Sequence, residues 1–355
     1  MDGLLILRIV ATLAVVTGHS ASFFGGLAWT QHPPGPYLQS QAVTLFFFVS
    51  GFTIAWVCNN DLERGTSIFK YLYDRATRLL VPLVPILMLQ AAIELVLLDP
   101  HPYAQNFNLS TGLANIAFLQ GIELGLPLCG TLITWGYDAF GTNRPLWTIS
   151  VEFWIYVAYG GFIFAAFGQG RLCLLAAWMA GILGLMAINN YIVGGRGSSL
   201  ALIWLIGAIC YYAFRNLPMP SSRAMLAFAP AIIFIVVQLL WRPSWPVDGT
   251  YTLLYNLLIV AAAICFIAFC PSIPAGWGKW IQDHEFAYTT YLAHYPIQYW
   301  IWSADLLPSG TGSALAAAAV SVVASWGLWW CFERHYKRVR KTGLVIVGKI
   351  RRLSL

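Results

Sequence analysis

Across 355 residues, 59% are hydrophobic, only 10% are charged, and the mean hydropathy is +0.69. Roughly 25% charged residues would be ordinary for a water-facing surface, so a soluble enzyme is excluded and lipid is the expected solvent. The net charge of +6 falls in loops and a tail between apolar runs; it reads as membrane topology, and no nucleic-acid partner is expected.

A hydrocarbon core about 30 Å thick needs roughly 20 residues of helix. In chain order the predicted spans are 4–26, 40–58, 79–98, 146–167, 171–193, 199–214, 224–241, 250–270, 286–303 and 311–332, about ten in all. The first carries Arg8 and His19 within its apolar run and lacks a basic leader, so it is read as a retained helix and not a cleaved signal. The stretch 112–135 is broken by Gly and Pro. It is read as a re-entrant or interfacial piece of the long 99–145 loop, with an eleventh span as the alternative. The prediction is therefore an all-α polytopic transmembrane helix bundle, with residues 1–335 as one membrane-embedded domain. Residues 336–355 are predicted to form a basic cytoplasmic tail against anionic lipid.

With the N-terminus inside, the predicted inner loops and tail hold sixteen of the twenty Lys and Arg residues. The outer loops hold Arg144, Arg196 and Arg242. That bias places both termini in the cytoplasm, and the expected location is the cytoplasmic (inner) membrane, crossed many times. The seven cysteines show no Cys-x-x-Cys spacing, so neither a metal site nor a disulfide framework is expected.

Ionisable groups inside spans are costly and by default mark function. Here they are Arg8, His19, Glu94, Glu152 and His294, with His284 and Glu285 at the inner edge of the ninth span. Eleven helical residues make about three turns plus 20°, so Arg8 and His19 project from nearly one face, about 16 Å apart. A fixed cation near the inner side and an imidazole towards the outer side suit a long anionic molecule entering from the cytoplasm, with chemistry at its far tip. The plainer reading is that Arg8 snorkels to lipid phosphate and His19 bonds a neighbouring helix.

Ser50 lies in a Phe-rich segment beside Gly51, without the surroundings of a nucleophile elbow, so packing is expected of it. Arg75 and Arg78 share a helix face, as membrane anchors or as a bidentate grip on phosphate. Glu152, buried after Trp147 and Ser150, must be paired or protonated. It could orient an imidazole, bind a sugar hydroxyl, or partner a buried Arg or Trp. His294 sits mid-helix two residues before Pro296, where a broken helix often lines a cavity. Glu94 has no motif around it and is expected to pair within the bundle. Glu333 with Arg334 is expected to be an interfacial pair.

Taken in order, six pieces resemble the acyltransferase-3 family of integral membrane O-acyltransferases, whose members O-acylate surface polysaccharides and related acceptors. They are Arg8-x10-His19, Phe46-Phe47-x-x-Ser50-Gly51-Phe52, Arg75-x-x-Arg78-Leu79 with Pro82, Trp147-x-x-Ser150-Val151-Glu152, Tyr291-Leu292-x-His294-x-Pro296 and Phe332-Glu333-Arg334. Phe153 stands where the family often has a second acid, and His335 where a proline is usual. The resemblance makes residues 1–335 an acyltransferase domain. It implies acyl-CoA, by analogy acetyl-CoA, as a cytoplasmic co-substrate with no permanently bound cofactor, and a glycan or lipid-linked saccharide acceptor at the outer face.

On that footing, transfer from a thioester needs a base, oxyanion stabilisation and room for the leaving thiolate. His19 is the expected general base, because a neutral imidazole exists at working pH, with Glu152 to orient it. Arg8, with Arg75 and Arg78, would hold the nucleotide end of coenzyme A. Trp147, Ser150, Tyr291 and His294 are the expected contacts to acceptor or oxyanion, and an acyl-histidine intermediate is a variant. The rival reading is a proton-coupled transporter or flippase of a lipid-linked glycan, against which no inverted repeat is visible.

Overall fold

Helices form along the predicted apolar runs that the described residues cover, and five of them are long and apolar enough to cross a bilayer. The computed structural model describes residues 2–31, 37–97, 103–122, 124–128, 131–168, 170–188, 199–216, 249–269 and 275–343. The helices are α1 (Asp2–Phe24), α2 (Leu38–Glu63), α3 (Ile68–Leu97), α4 (Leu109–Ile116), α5 (Trp147–Phe167), α6 (Arg171–Ala187), α7 (Leu200–Asn216), α8 (Gly249–Phe269), α9 (Ala275–Asp283), α10 (Ala287–Ser303) and α11 (Thr311–Cys331). Among the described residues five helices are long and apolar enough to cross a membrane, beginning at Asp2, Leu38, Ile68, Arg144 and Thr311. The protein is an all-α helical bundle. The predicted span 224–241 and the end of 171–193 beyond residue 188 lie outside the described residues.

The bundle is built inside out relative to a soluble protein. On α6 the buried positions are Ala177, Gly181, Gly184 and Ala187, while Leu172, Leu175, Met179, Ile182, Leu183 and Met186 are exposed. Lipid solvates large apolar side chains, so small residues are what let helices approach. The same logic joins α2 to α7. A methyl on Gly51 would come within 1.9 Å of the Trp204 carbonyl oxygen, and one on Gly207 within 2.1 Å of the Phe48 carbonyl oxygen. Close packing is thus the role of Gly51 in the Ser50-Gly51 step, while Ser50 faces the small cavity described below. α1 runs against α2, α10 and α11, which puts Arg8 and His19 in the middle of the bundle.

One expectation is corrected: α3 starts at Ile68, eleven residues before the predicted 79, because its first turns are polar and carry Lys70, Asp74, Arg75 and Arg78. Thirty residues at 1.5 Å each make about 45 Å, longer than the hydrocarbon is thick. In the stretch 112–135, read as a re-entrant or interfacial piece with an eleventh span as the alternative, the described residues hold the end of α4 and an antiparallel hairpin, β1 (Leu124–Leu128) with β2 (Thr131–Trp135), and no long helix. Beyond α11, the start of the tail touches α3. Tyr73 donates to the Arg340 carbonyl at 3.3 Å, and the Arg340 guanidinium lies 3.6 Å from Asp74. The tail beyond 343 lies outside the described residues.

Candidate functional site

α1 presents Arg8 and His19 to two different cavities. The larger, of about 880 Å³, is walled by His19, Gln39, Asn106, Asp138, Arg144, Trp147, Tyr291 and Tyr295 among others. The smaller, of about 180 Å³, is walled by Arg8, Ser50, Arg75, Arg78, Glu152, Tyr156, Glu285, Tyr288 and Tyr291 among others. Val43, Thr148 and Tyr291 line both. The cavities therefore abut across one thin partition, where Thr148 Oγ1 and the Tyr291 hydroxyl lie 2.6 Å apart. The Tyr291 ring stands edge-on to Phe46.

The small cavity concentrates guanidinium groups. Arg8 is paired with Glu285 and also reaches Thr53 at 3.4 Å. Arg78 is paired with Glu333 and lies over the rings of Tyr336 and Tyr288. Glu333 also accepts from the Thr289 backbone N–H at 3.2 Å and its hydroxyl at 2.5 Å. The expected Glu333–Arg334 pair is thus not formed; Arg334 lies over Trp330 instead. Neighbouring residues on one helical turn point apart, so they cannot share a face. Arg75 differs from its companions: its Nε is buried without a hydrogen-bond partner, and no ion pair involves it among the described residues. Glu285, in the turn before α10, is half-buried, which disfavours its charge, but Arg8 and then Arg78 outweigh that and hold the carboxyl below the usual carboxylate range.

Glu152 belongs to this small cavity and not to His19. Its Oε1 accepts from Ser50 Oγ at 2.7 Å and from the Tyr156 hydroxyl, and Trp204 Nε1 donates to Ser50 at 3.2 Å. The expected orientation of His19 by Glu152 is corrected accordingly. On α5 the residue four before Glu152 is Thr148, so the carboxylate lies a helical turn beyond the partition, towards Arg8. Ser150, expected to touch acceptor or oxyanion, is fully buried and lines neither cavity. It bonds the carbonyls of Gln120 and Trp147, pinning α5 to the loop before it.

At the large cavity His19 has other company. Its ring centroid is 5.3 Å from that of His294 and 5.0 Å from that of Tyr295. His294 is fully buried behind the wall, with Nδ1 2.9 Å from the Thr290 carbonyl oxygen. Gln298 donates to the Val16 carbonyl at 3.0 Å and holds α10 against α1 at this level.

A buried clamp that motif reading missed shapes the large cavity. Pro296 has no N–H and deprives the Leu292 carbonyl of its helical donor. Asn143 supplies the replacement at 2.8 Å, and also donates to Gln90 at 3.2 Å. Gln90 donates to Glu94 and to the Phe140 carbonyl; Glu94 in turn accepts from the backbone N–H and hydroxyl of Thr142. Residues 140–143 are thereby fastened to α3 and α10, which sets Arg144 and Trp147 at the cavity wall. Two signals were legible: a mid-helix proline strands the carbonyl four residues earlier, and Gln90 and Glu94 share a helix face.

An all-α bundle with a lipid-facing apolar surface and internal cavities lined by imidazole and guanidinium groups defines an integral membrane protein with room for polar ligands. The sequence profile of the acyltransferase-3 family, an acyltransferase domain, matches residues 1–330. The chain belongs to that family and is a membrane acyltransferase. No curated protein and no solved structure matches it.

Proposed function

We propose that the protein is an O-acyltransferase of the cytoplasmic membrane. It takes an acyl group, acetyl by family analogy, from cytoplasmic acyl-CoA and places it on a hydroxyl of a glycan or lipid-linked saccharide at the outer face. The observation that carries this reading is the pair of abutting cavities. One gathers three guanidinium groups at its wall, the other has His19 with amides and aromatic rings beside Arg144 and Asp138, and Val43 with the Thr148–Tyr291 hydroxyl pair lies between them. Guanidinium forks suit phosphates; rings and amides suit sugars.

In this reading the slender arm of coenzyme A enters the small cavity, of about 180 Å³, while its nucleotide stays at the mouth. Arg75 supplies the guanidinium not already paired, with Arg8 and Arg78 beside it. The thioester then reaches the partition, and the acceptor hydroxyl meets it from the large cavity. His19 takes the hydroxyl proton as the acceptor oxygen bonds to the thioester carbon. The C–S bond breaks, and the proton passes to the leaving sulfur, giving an ester and free coenzyme A. The Tyr291 hydroxyl, released from Thr148 as the partition opens, donates to the oxyanion.

The test is to incubate purified protein with labelled acetyl-CoA and glycan acceptors. Free thiol and an alkali-labile ester on the acceptor are the expected products, and His19→Ala should make neither. A carrier of glycans would bind or move the acceptor and leave the thioester intact; that result overturns the proposal.

A further inference from the structure

The structure leaves His19 without the carboxylate partner that an orienting role for Glu152 would provide, and puts a second imidazole in its place. A carbonyl oxygen only accepts, so the 2.9 Å contact with Thr290 places the His294 proton on Nδ1. The neutral ring then carries a bare lone pair on Nε2. Among the described residues that nitrogen is buried without a hydrogen-bond partner, in a fully buried ring packed between Tyr291 and His19. Buried acceptors left unpaired are rare and call for an explanation. The His19 ring is close enough, at 5.3 Å between centroids, for a modest turn of its side chain to bring an N–H onto that lone pair. His19 itself makes no hydrogen bond among the described residues, so that turn breaks none.

Resting on the acyl-transfer reading, we infer that His294 is the positioning residue for His19: its Nε2 accepts the ring N–H of His19, fixing the tautomer that turns the other nitrogen to the acceptor hydroxyl. In the transfer step the acceptor proton moves to that free nitrogen of His19 while the new C–O bond forms. His294 then faces an imidazolium and stabilises it through the same hydrogen bond. The C–S bond breaks, the proton passes from His19 to sulfur, and both rings return neutral. Two neutral imidazoles thus replace the carboxylate–imidazole arrangement, and no fixed negative charge is needed beside the reacting thioester.

The experiment compares His294→Leu and His294→Gln with wild type in detergent or nanodiscs, measuring thiol release and ester formation against acetyl-CoA and acceptor. The leucine variant removes the acceptor atom, whereas a glutamine amide oxygen reaches the region of Nε2. We expect His294→Leu to lose roughly 10²-fold in kcat with an unchanged KM for acetyl-CoA, the size of a general-base contribution. His294→Gln should recover at least tenfold of that loss. Equal loss in both variants with intact folding, or no loss in His294→Leu, overturns the inference. Should the leucine variant fail to fold, a glutamine variant as slow as His19→Ala overturns it also. Failure of the underlying reading looks different: wild type would turn over no thioester, or His19→Ala would stay active.

Discussion

Thr148 Oγ1 and the Tyr291 hydroxyl lie 2.6 Å apart at the point where the two cavities meet. Thr148 also donates to the Pro145 carbonyl at 2.9 Å, which holds it from behind and leaves Tyr291 to donate the bond between them.

The first prediction concerns that pair. A hydrogen bond of this kind is worth about 1 kcal/mol. Thr148→Val keeps the shape and removes the hydroxyl. It is expected to raise acyl-CoA hydrolysis without acceptor by roughly fivefold, because water gains access to the thioester, while Thr148→Ser stays near wild type. Thiol release with and without acceptor reads both. Unchanged hydrolysis in the valine variant would mean the partition is closed by something else.

Arg75 and Arg78 should fail in different ways. Arg75 has no carboxylate partner among the described residues, so Arg75→Gln should raise the KM for acyl-CoA by roughly 10- to 100-fold and barely change stability. Arg78→Gln strands Glu333, which is 2% exposed. Leaving a buried charge unpaired costs about 3–5 kcal/mol, so this variant should show a large drop in melting temperature. Michaelis constants and thermal unfolding in one detergent separate the two; equal effects would refute the division of labour.

Glu285 carries a pH signature. A carboxyl held lower in the folded than in the unfolded protein stabilises the fold above the unfolded value, and that contribution disappears as pH falls through the folded value. Glu285→Gln should therefore melt below wild type near neutrality, with the gap closing on acidification below about pH 4. A gap of constant size from neutral to acid pH would show that the Arg8–Glu285 attraction is not its source.

Asn143 and Pro296 should be coupled. Asn143→Leu leaves the Leu292 carbonyl buried and unbonded, at a cost of about 1–3 kcal/mol. Pro296→Ala returns a backbone N–H four residues on, so the double variant should recover part of that loss. Thermal unfolding of the two single variants and the double forms the cycle. Strict additivity would rule out the proposed substitution of one donor for another.

Much of this protein was legible before its structure. The apolar runs located the described spans because lipid demands length and hydrophobicity, two properties written locally along a chain. Arg8, His19, Glu94, Glu152 and His294 stood out because ionisable groups rarely sit in such runs without cause, and Arg75 and Arg78 because they share a helix face. The 20° offset over eleven helical residues put Arg8 and His19 on one face, and both do line cavities. The polar start of α3 escaped because a hydropathy search sees only the membrane-crossing part of a longer helix.

Pairing was a different matter. Which acid meets which base depends on how helices distant in sequence are rotated and set in height, and small residues such as Gly51 and Gly207 decide that through contacts far along the chain. Tertiary structure thus gave Glu152 to Ser50 and Tyr156, gave Glu333 to Arg78, and put His294 beside His19. The sequence by itself determined the solvent, the helices and the chemically able residues, since each follows from local composition and period. Only packing decided their partners and the wall between the two cavities, since both require atoms hundreds of residues apart to meet within a hydrogen bond's length.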